Sequence, residues 1–352
     1  MLTSLDQFVI RPVRSDDLEG LLQVAASLLG SMTSLPKDDA FLKRKIVDSL
    51  RAFDPLLSSA GSDNYLFVLE DRQEGVLAGI CGILARIGGF DPFYSYAIEY
   101  EAVRHERLDI SHEIPVLHLE RSHKGPSEVC SLLLRPDYRK RHLGRFLSLS
   151  RFVFMAAFGE RFESLVIAEI RGVVDDHGRS PFWEAVGRSF FQQDFQTADF
   201  WSGLGNKQFI EDLMPKYPIY LPLLPKAARE AIGVPHARAK AAAAILKEEG
   251  FYTTNKVDIF DGGPILQAPR RGIRTINECR RGSIRSSKPA SPVLDPQHIV
   301  ARVDLDFRAC LTTLEEHLDG DLTVSEDVLG HLEVAPGDSI LYTPFHKKVL
   351  TE

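Results

Sequence analysis

No two cysteines in this chain stand at Cys-x-x-Cys spacing. The four present, Cys81, Cys130, Cys279 and Cys310, are scattered. That pattern suggests reduced thiols and argues against a disulfide framework. Long apolar runs are also missing: none reaches the ~20 residues that span a bilayer. The oiliest segment, Phe152–Phe158, is bracketed by Arg151 and Glu160. The opening MLTSLDQFVIRP has no basic stretch followed by an apolar core, so no signal peptide is expected. Export and membrane insertion are therefore disfavoured, and the expected location is the cytoplasm. There is no Gly-x-Gly-x-x-Gly and no Walker lysine motif, which disfavours Rossmann-type and P-loop nucleotide sites. Neither His105 and His112 nor His118 and His123 have i,i+4 spacing around an acid, so no metal site is expected.

Positive charge is in deficit too. Lys and Arg number 42 against 49 Asp and Glu, a net charge of -7. A nucleic-acid partner is disfavoured on this balance. One basic cluster, Arg270-Arg271 to Arg274 and Arg280-Arg281 to Arg285, lacks aromatic interleaving and reads as a solvated face or a subunit contact.

What is there is an ordinary folded composition, 44 % hydrophobic and 26 % charged over 352 residues. That length suits one large domain or two ordinary ones. The division expected is 1–200 and 201–352. Phe8–Val13 alternates as a strand. Ser15-Asp16-Asp17 offers an N-cap for a helix through Leu18, Leu21, Leu22, Ala25 and Leu29. Pro36 suits the first turn of a second helix over Lys37–Arg51. Tyr65–Leu69 and Val76–Ala85 form a hairpin turned by Asp71–Gly75. Phe90–Glu120 holds a further strand or two. His236–Glu249 is a helix, opened after Pro235 and stopped by Gly250. Gly282–Pro296 reads as a loop.

The most informative unit begins at Ser127. Glu128–Leu134 is a strand, ended by Arg135-Pro136-Asp137 because proline is poor in a central strand. A basic turn, Tyr138 to Gly144, leads into a helix over Phe146–Phe158, and Leu165–Ile170 is the next strand. This is a βαβ-like unit whose first turn could hold a ligand. A turn entering a helix exposes unpaired N–H groups and the positive end of the helix dipole. Arg139, Lys140, Arg141 and Arg145 add charge, so a pyrophosphate-bearing cofactor fits. From charge alone, a solvated basic loop fits as well.

Around this unit the sequence resembles the bacterial arginine N-succinyltransferase family, including arginine/ornithine succinyltransferase subunits. The matching pieces are TSLP (33–36), FVLED (67–71), AGIC (78–81), DPFY near Asp91, EVCSLLLRPDYRK (128–140), SRFVFMAAF (150–158), AEIRGVVDDHGRSPFW (168–183), FIEDLMPKYPIY (209–220), LKEEGF (246–251) and DIFDGGP (258–264). They run in order from about Val9 to Pro264 and thin out past Gln267.

The resemblance implies an acyl-CoA N-acyltransferase-like three-layer α/β/α fold. A weak internal echo leaves duplication open. It also implies succinyl-CoA as the acyl donor, with no tightly bound cofactor, and L-arginine as the acceptor. The family's acyl-CoA contact falls on Leu132, whose side chain alone reads as core, so its part is a backbone one. The pyrophosphate would lie over Arg139, Lys140, Arg141, Leu143 and Gly144. The family's general acid falls on His236. The broader group of acyl-CoA-dependent N-acyltransferases prefers glycine where this chain has His142, which could crowd a phosphate or donate to it.

For the dibasic acceptor, Glu169, Arg171, Asp175 and His177 are the candidates, with Asp176 beside them and Asp258 and Asp261 weaker. Glu169 ranks first because a charge within an apolar strand demands a partner. Direct attack of the amine on the thioester is expected. A covalent route through Cys130 is the other option, set against a buried structural thiol. The resemblance leaves open ornithine or another amine as acceptor. It also leaves open a non-catalytic chain of a heteromeric enzyme, and assembly as a homo-oligomer or with a homologous subunit.

Overall fold

Phe8–Pro12 (β1) is buried on both faces and lies inside a sheet, between strands far away in sequence. The computed structural model describes residues 5–27, 37–57, 61–89, 91–139, 142–203, 208–290 and 292–347. The further strands are β2 (Asn64–Asp71), β3 (Val76–Leu84), β4 (Phe93–His105), β5 (Ile110–Ser122), β6 (Ser127–Leu134), β7 (Leu165–Glu169), β8 (Ile219–Tyr220), β9 (Tyr252–Val257) and β10 (Pro264–Pro269). The chain ends in β11 (Arg280–Lys288), β12 (His298–Arg302), β13 (Ala309–Thr312), β14 (Glu315–Glu316), β15 (Leu322–Ser325) and β16 (Ser339–Pro344). They join in the order β14-β15-β11-β16-β12-β13-β1-β2-β3-β6-β7-β10-β9-β4-β5-β8. Among the described residues only β6–β7 and β11–β15 pair in parallel.

Helices cover both faces, so the architecture is mixed α/β. On one face α1 (Leu18–Ala26) and α2 (Asp39–Ala52) pack Leu21, Val24, Leu42 and Ile46 against Leu66, Val68 and Ile80. On the other, α3 (Leu143–Ala157) packs Phe146, Leu149, Val153 and Phe154 against Tyr65, Phe67 and Ala78. The alternate residues of β2 thus serve opposite layers, as a strand's period of two dictates. The far side of α3 is covered by the helix Lys240–Glu248 and by β12 and β16, through Leu246, Ile299 and Leu341. A helix wrapped on all sides is apolar on most of its surface, which accounts for the oily run in the sequence, and Ser148, Ser150 and Arg151 are its buried polar residues.

The Asp71–Gly75 turn forms as expected. Asp71 Oδ1 accepts from the N–H groups of Gln73 and Glu74, and Gly75 takes φ +66°. The 90–120 region is one long hairpin of β4 and β5 in continuous register from Phe93↔Ser122 to His105↔Ile110. Asp17 does sit at the N-cap of α1, but its carboxylate turns away from the helix. It accepts from both Nη atoms of Arg11 at 2.7 and 2.9 Å and from Arg14 N. The second helix begins at Asp39 and is capped by Asp38, which accepts from Phe41 N at 2.7 Å. Pro36 and the TSLP segment lie outside the described residues.

One expectation is overturned. The stretch taken as a loop from Gly282 contains most of β11, which pairs with β16 and β15. Only Gly282 and Ile284 of this strand are buried, so its arginines and serines face out and mask the alternation. The basic cluster is spread over this strand and the preceding helix. Arg274 pairs with Glu249 and Glu278, Arg280 with Glu316, and Arg285 with Asp319 and Asp321.

Candidate functional site

The strands β6 and β7 pair only at their first residues, Ser127↔Val166 and Glu128↔Ile167. Beyond Glu128, β6 continues along β3 as far as Leu134, while β7 continues along β10 as far as Glu169. The two neighbours therefore splay apart, and a wedge opens between them.

The splay coincides with a bulge. The register against β3 shifts between Ile80↔Leu133 and Gly82↔Cys130, and Ser131 holds φ +52°. Two residues, Ser131 and Leu132, oppose Cys81. Such an extra residue moves every later side chain to the other face. Val129 accordingly packs with the α3 layer and Leu133 with the α1–α2 layer, although they are an even number apart. Leu132 sits partly buried at this break.

The wedge leads to the N-terminus of α3. The first helical bond runs from Phe146 N to His142 O. The N–H groups of Leu143, Gly144 and Arg145 thus have no acceptor within the helix, the arrangement that binds anions. The nearest atom to a Cβ built on Gly144 would be 3.9 Å away, so the first turn is open on that side. The Leu143 side chain is fully buried, leaving only its N–H for a ligand. Arg139 is exposed, its Nε donating to Leu134 O. Lys140 and Arg141 lie outside the described residues. Arg145 is engaged elsewhere, with Glu248 and the carbonyl of Phe345.

His142 stands at the N-cap of α3 with φ +58° and ψ +1°. This is the left-handed region that glycine enters without strain. Its ring lies edge-on to Phe345 and His346.

Side chains from both helical layers converge on the bulge. Lys45 of α2 donates to Ser131 Oγ at 3.2 Å, and Arg151 of α3 donates to Cys130 O. Burial pushes both cations below their ordinary pKa. Burial, with Glu128 beside it, pushes the Cys130 thiol up to about 11. A resting thiolate nucleophile at Cys130 is therefore disfavoured.

The chain leaving β7 is held between two other segments. Gly172 bridges to Pro235, and His236 N donates to Arg171 O at 2.8 Å. A Cβ on Gly172 would lie 2.5 Å from Asp261 O, so only glycine lets the strands close here. The Arg171 guanidinium is gripped by Asp199 at 2.9 and 3.3 Å and by Asp261 at 3.4 Å. Asp258 accepts from Phe260 N and Asp261 N. Burial, and then Asp261 beside it, raise its pKa to about 8.

His236 is half-buried and opens the short 3-10 turn Ala237–Ala239 ahead of the helix Lys240–Glu248. Its Nδ1 accepts from Arg238 N at 3.1 Å, so in the neutral ring the hydrogen sits on Nε2. Asp175 and His177 lie in an exposed turn that closes on itself. Asp175 accepts from His177 N and Arg179 N and pairs with Arg179. Glu169 ends β7, opposite Ile265.

The family model described as "Arginine N-succinyltransferase beta subunit" matches residues 8–275, and that of its C-terminal domain matches 280–344. The chain belongs to the arginine N-succinyltransferase family. The match runs well past Gln267, and its second part covers β11 to β16. The arginine N-succinyltransferase of Escherichia coli is 41% identical over 309 residues, 88% of this chain and 86% of that one. The solved structure titled arginine/ornithine succinyltransferase subunit AI from Pseudomonas aeruginosa covers 97% of this chain and 99% of its own. It does so at 36% identity and a TM-score of 0.87.

Two residues at the bulge escaped the sequence reading. Lys45 lies in the same stripe of α2 as Leu42, Ile46 and Ser49, all buried. A lysine inside an apolar stripe was the available signal. Arg151 sits inside the buried run of α3 and had served only to mark its end. Among the described residues no three His, Cys, Asp or Glu side chains are grouped to hold a metal ion, and no helix is long and apolar enough to cross a membrane.

Proposed function

We propose that this chain transfers succinyl from succinyl-CoA to the α-amino group of L-arginine, giving N2-succinyl-L-arginine and CoA. The observation that carries this reading is the β6–β7 wedge that opens at a bulge and runs to an uncapped helix N-terminus, in a chain of this family. A long thioester with amides along its arm and phosphates at its end matches such a slot. The pyrophosphate meets the N–H groups of Leu143, Gly144 and Arg145, with Arg139, Lys140 and Arg141 adding charge. The pantetheine amides pair with the free edge of β6, and the thioester comes to rest at Leu132.

The deprotonated amine attacks the thioester carbon, forming the C–N bond. The tetrahedral oxyanion then collapses, the C–S bond breaks, and the amine proton is lost. CoA leaves as thiolate or takes a proton. His236 serves at this step. As the ring stands, Nε2–H stabilises the leaving sulfur by a hydrogen bond. Full proton donation requires a second proton at Nδ1, which breaks the bond from Arg238 N.

For the acceptor, Glu169 at the end of β7 is the acidic candidate. Arg171 has its guanidinium committed to Asp199 and Asp261 and holds His236 through its carbonyl. Asp175 and His177 are placed to contribute only from their surface turn.

The test is the purified chain with succinyl-CoA and L-arginine, followed by thiol release and product mass. Arginine-dependent release with a product heavier by one succinyl group supports the reading. L-ornithine and acetyl-CoA serve as controls, ornithine because the Pseudomonas relative's title names it. A folded chain that is silent alone and active with a homologous subunit would overturn self-sufficient catalysis.

A further inference from the structure

Two cations are buried against the bulge of β6 from opposite faces of the sheet. Lys45 arrives from the α1–α2 layer, 8 % exposed, and holds the Ser131 hydroxyl. Arg151 arrives from the α3 layer, 2 % exposed. It donates to Cys130 O at 3.4 Å, to Ser148 O at 3.1 Å and to Ser148 Oγ at 2.8 Å. Every acceptor of Arg151 among the described residues is neutral. A guanidinium stays charged in a protein, and burying one without a carboxylate lowers stability. A neutral amide could tie α3 to the Cys130 carbonyl without that cost. The charge itself is what needs explaining, and it is placed where β6 leaves β7.

We propose that Lys45 and Arg151 are positioning residues for the acyl transfer: together they clamp Cys130–Leu132 in its bulged form, and the Arg151 guanidinium keeps a positive charge near the point where the thioester oxygen becomes negative. The clamp rests on the function proposed above. Anchors at Cys130 O and Ser131 Oγ stand on both sides of the Ser131 φ torsion. They hold its positive value and so the direction of the Ser131–Leu132 peptide. A fixed guanidinium in a buried setting acts on developing charge without reorganising. Neither side chain needs to touch the acyl group.

The experiment compares Lys45→Met and Arg151→Met, which keep bulk and remove charge, with Lys45→Arg and Arg151→Lys, which keep charge. Steady-state kinetics with succinyl-CoA and L-arginine are run beside thermal melting. The Met variants are expected to lose about 10-fold or more in kcat, less than the loss of a direct oxyanion donor. Their KM for succinyl-CoA should stay close to wild type, and the charge-keeping variants should recover most of kcat. Met variants with wild-type kcat overturn the clamp. So do charge-keeping variants that are no better than Met at equal folded fraction. Where a Met variant does not fold, Lys45→Gln and Arg151→Gln are read the same way. A folded wild-type chain without turnover, alone or with a homologous subunit, overturns the function and the clamp together, whereas active wild type with indifferent variants overturns the clamp alone.

Discussion

The main-chain N–H of His236 donates to the carbonyl of Arg171 at 2.8 Å, so the candidate proton donor hangs on the chain leaving β7. The side chain of that same arginine is locked by Asp199 and Asp261. An ion cluster with buried carboxylates therefore sets where the imidazole stands. His236→Ala should lower kcat by about 10²–10⁴-fold, the range for a positioned proton-transfer group. It should change stability by only about 1 kcal/mol, since the single Nδ1 cap bond is lost. Kinetics and a denaturation curve together check this, and unaltered turnover would sink the assignment.

The left-handed backbone at His142 makes a different prediction. His142→Ile should cost about 1–2 kcal/mol, because a β-branched residue fits that region poorly. His142→Gly should be nearly neutral, relief of strain offsetting lost chain stiffness and the ring contacts with Phe345 and His346. Because the ring packs against those two residues, CoA affinity in His142→Gly should stay within about threefold of wild type. Calorimetric titration reads it, and a large gain would show that the imidazole crowds the phosphates.

Glu249 is fully buried at the end of the helix Lys240–Glu248 and accepts from Arg274 Nε, Arg274 Nη2 and Thr275 N. Glu249→Gln keeps the shape and removes the charge opposite Arg274. A loss of about 3 kcal/mol is expected, the usual cost of breaking a buried pair on one side. Urea unfolding measures it. A change under about 1 kcal/mol would mean that Glu278 alone suffices for Arg274.

Asp258 gives a pH dependence of known sign. Its pKa rises from the ordinary 3.8 to about 8 on folding. Between those values the native state holds the proton and the unfolded chain does not, so stability falls as pH rises through the window. Asp258→Asn removes this slope. Its melting temperature should match wild type near pH 4 and exceed it by an amount that grows toward pH 8. A constant offset would show that the carboxyl is already ionised in the fold.

Much of the site was legible because local chemistry wrote it. The strand, proline stop, basic turn and apolar helix from Ser127 to Ala157 appear in that order, and the start of α3 was placed late because His142 at its N-cap position offers no side-chain cap bond to mark it. The bulge was not legible. Its signature is that Val129 and Leu133 serve different layers, and a run of apolar residues hides such a change of phase. The aromatic segment Pro181–Phe191 forms two short helices that meet at Val186, where Gly187 lies against the Trp183 ring and a Cβ would come within 2.2 Å. The grip of Asp199 and Asp261 on Arg171 joins residues far apart in sequence, which no local pattern announces.

The first strand of the chain is completed by one of the last. Val9 pairs with Cys310 and Ile10 with Ala309, while the other edge of β1 is closed early by β2. On the ribosome, β1 and β2 can associate as soon as β2 emerges behind α1 and α2. One edge of β1 then stays bare until β13 has been made. An open edge of buried character is a template for wrong partners, and such waiting surfaces are what chaperones shield. A truncated chain ending before β13 would carry that edge permanently, so its failure mode would be self-association before it was loss of catalysis.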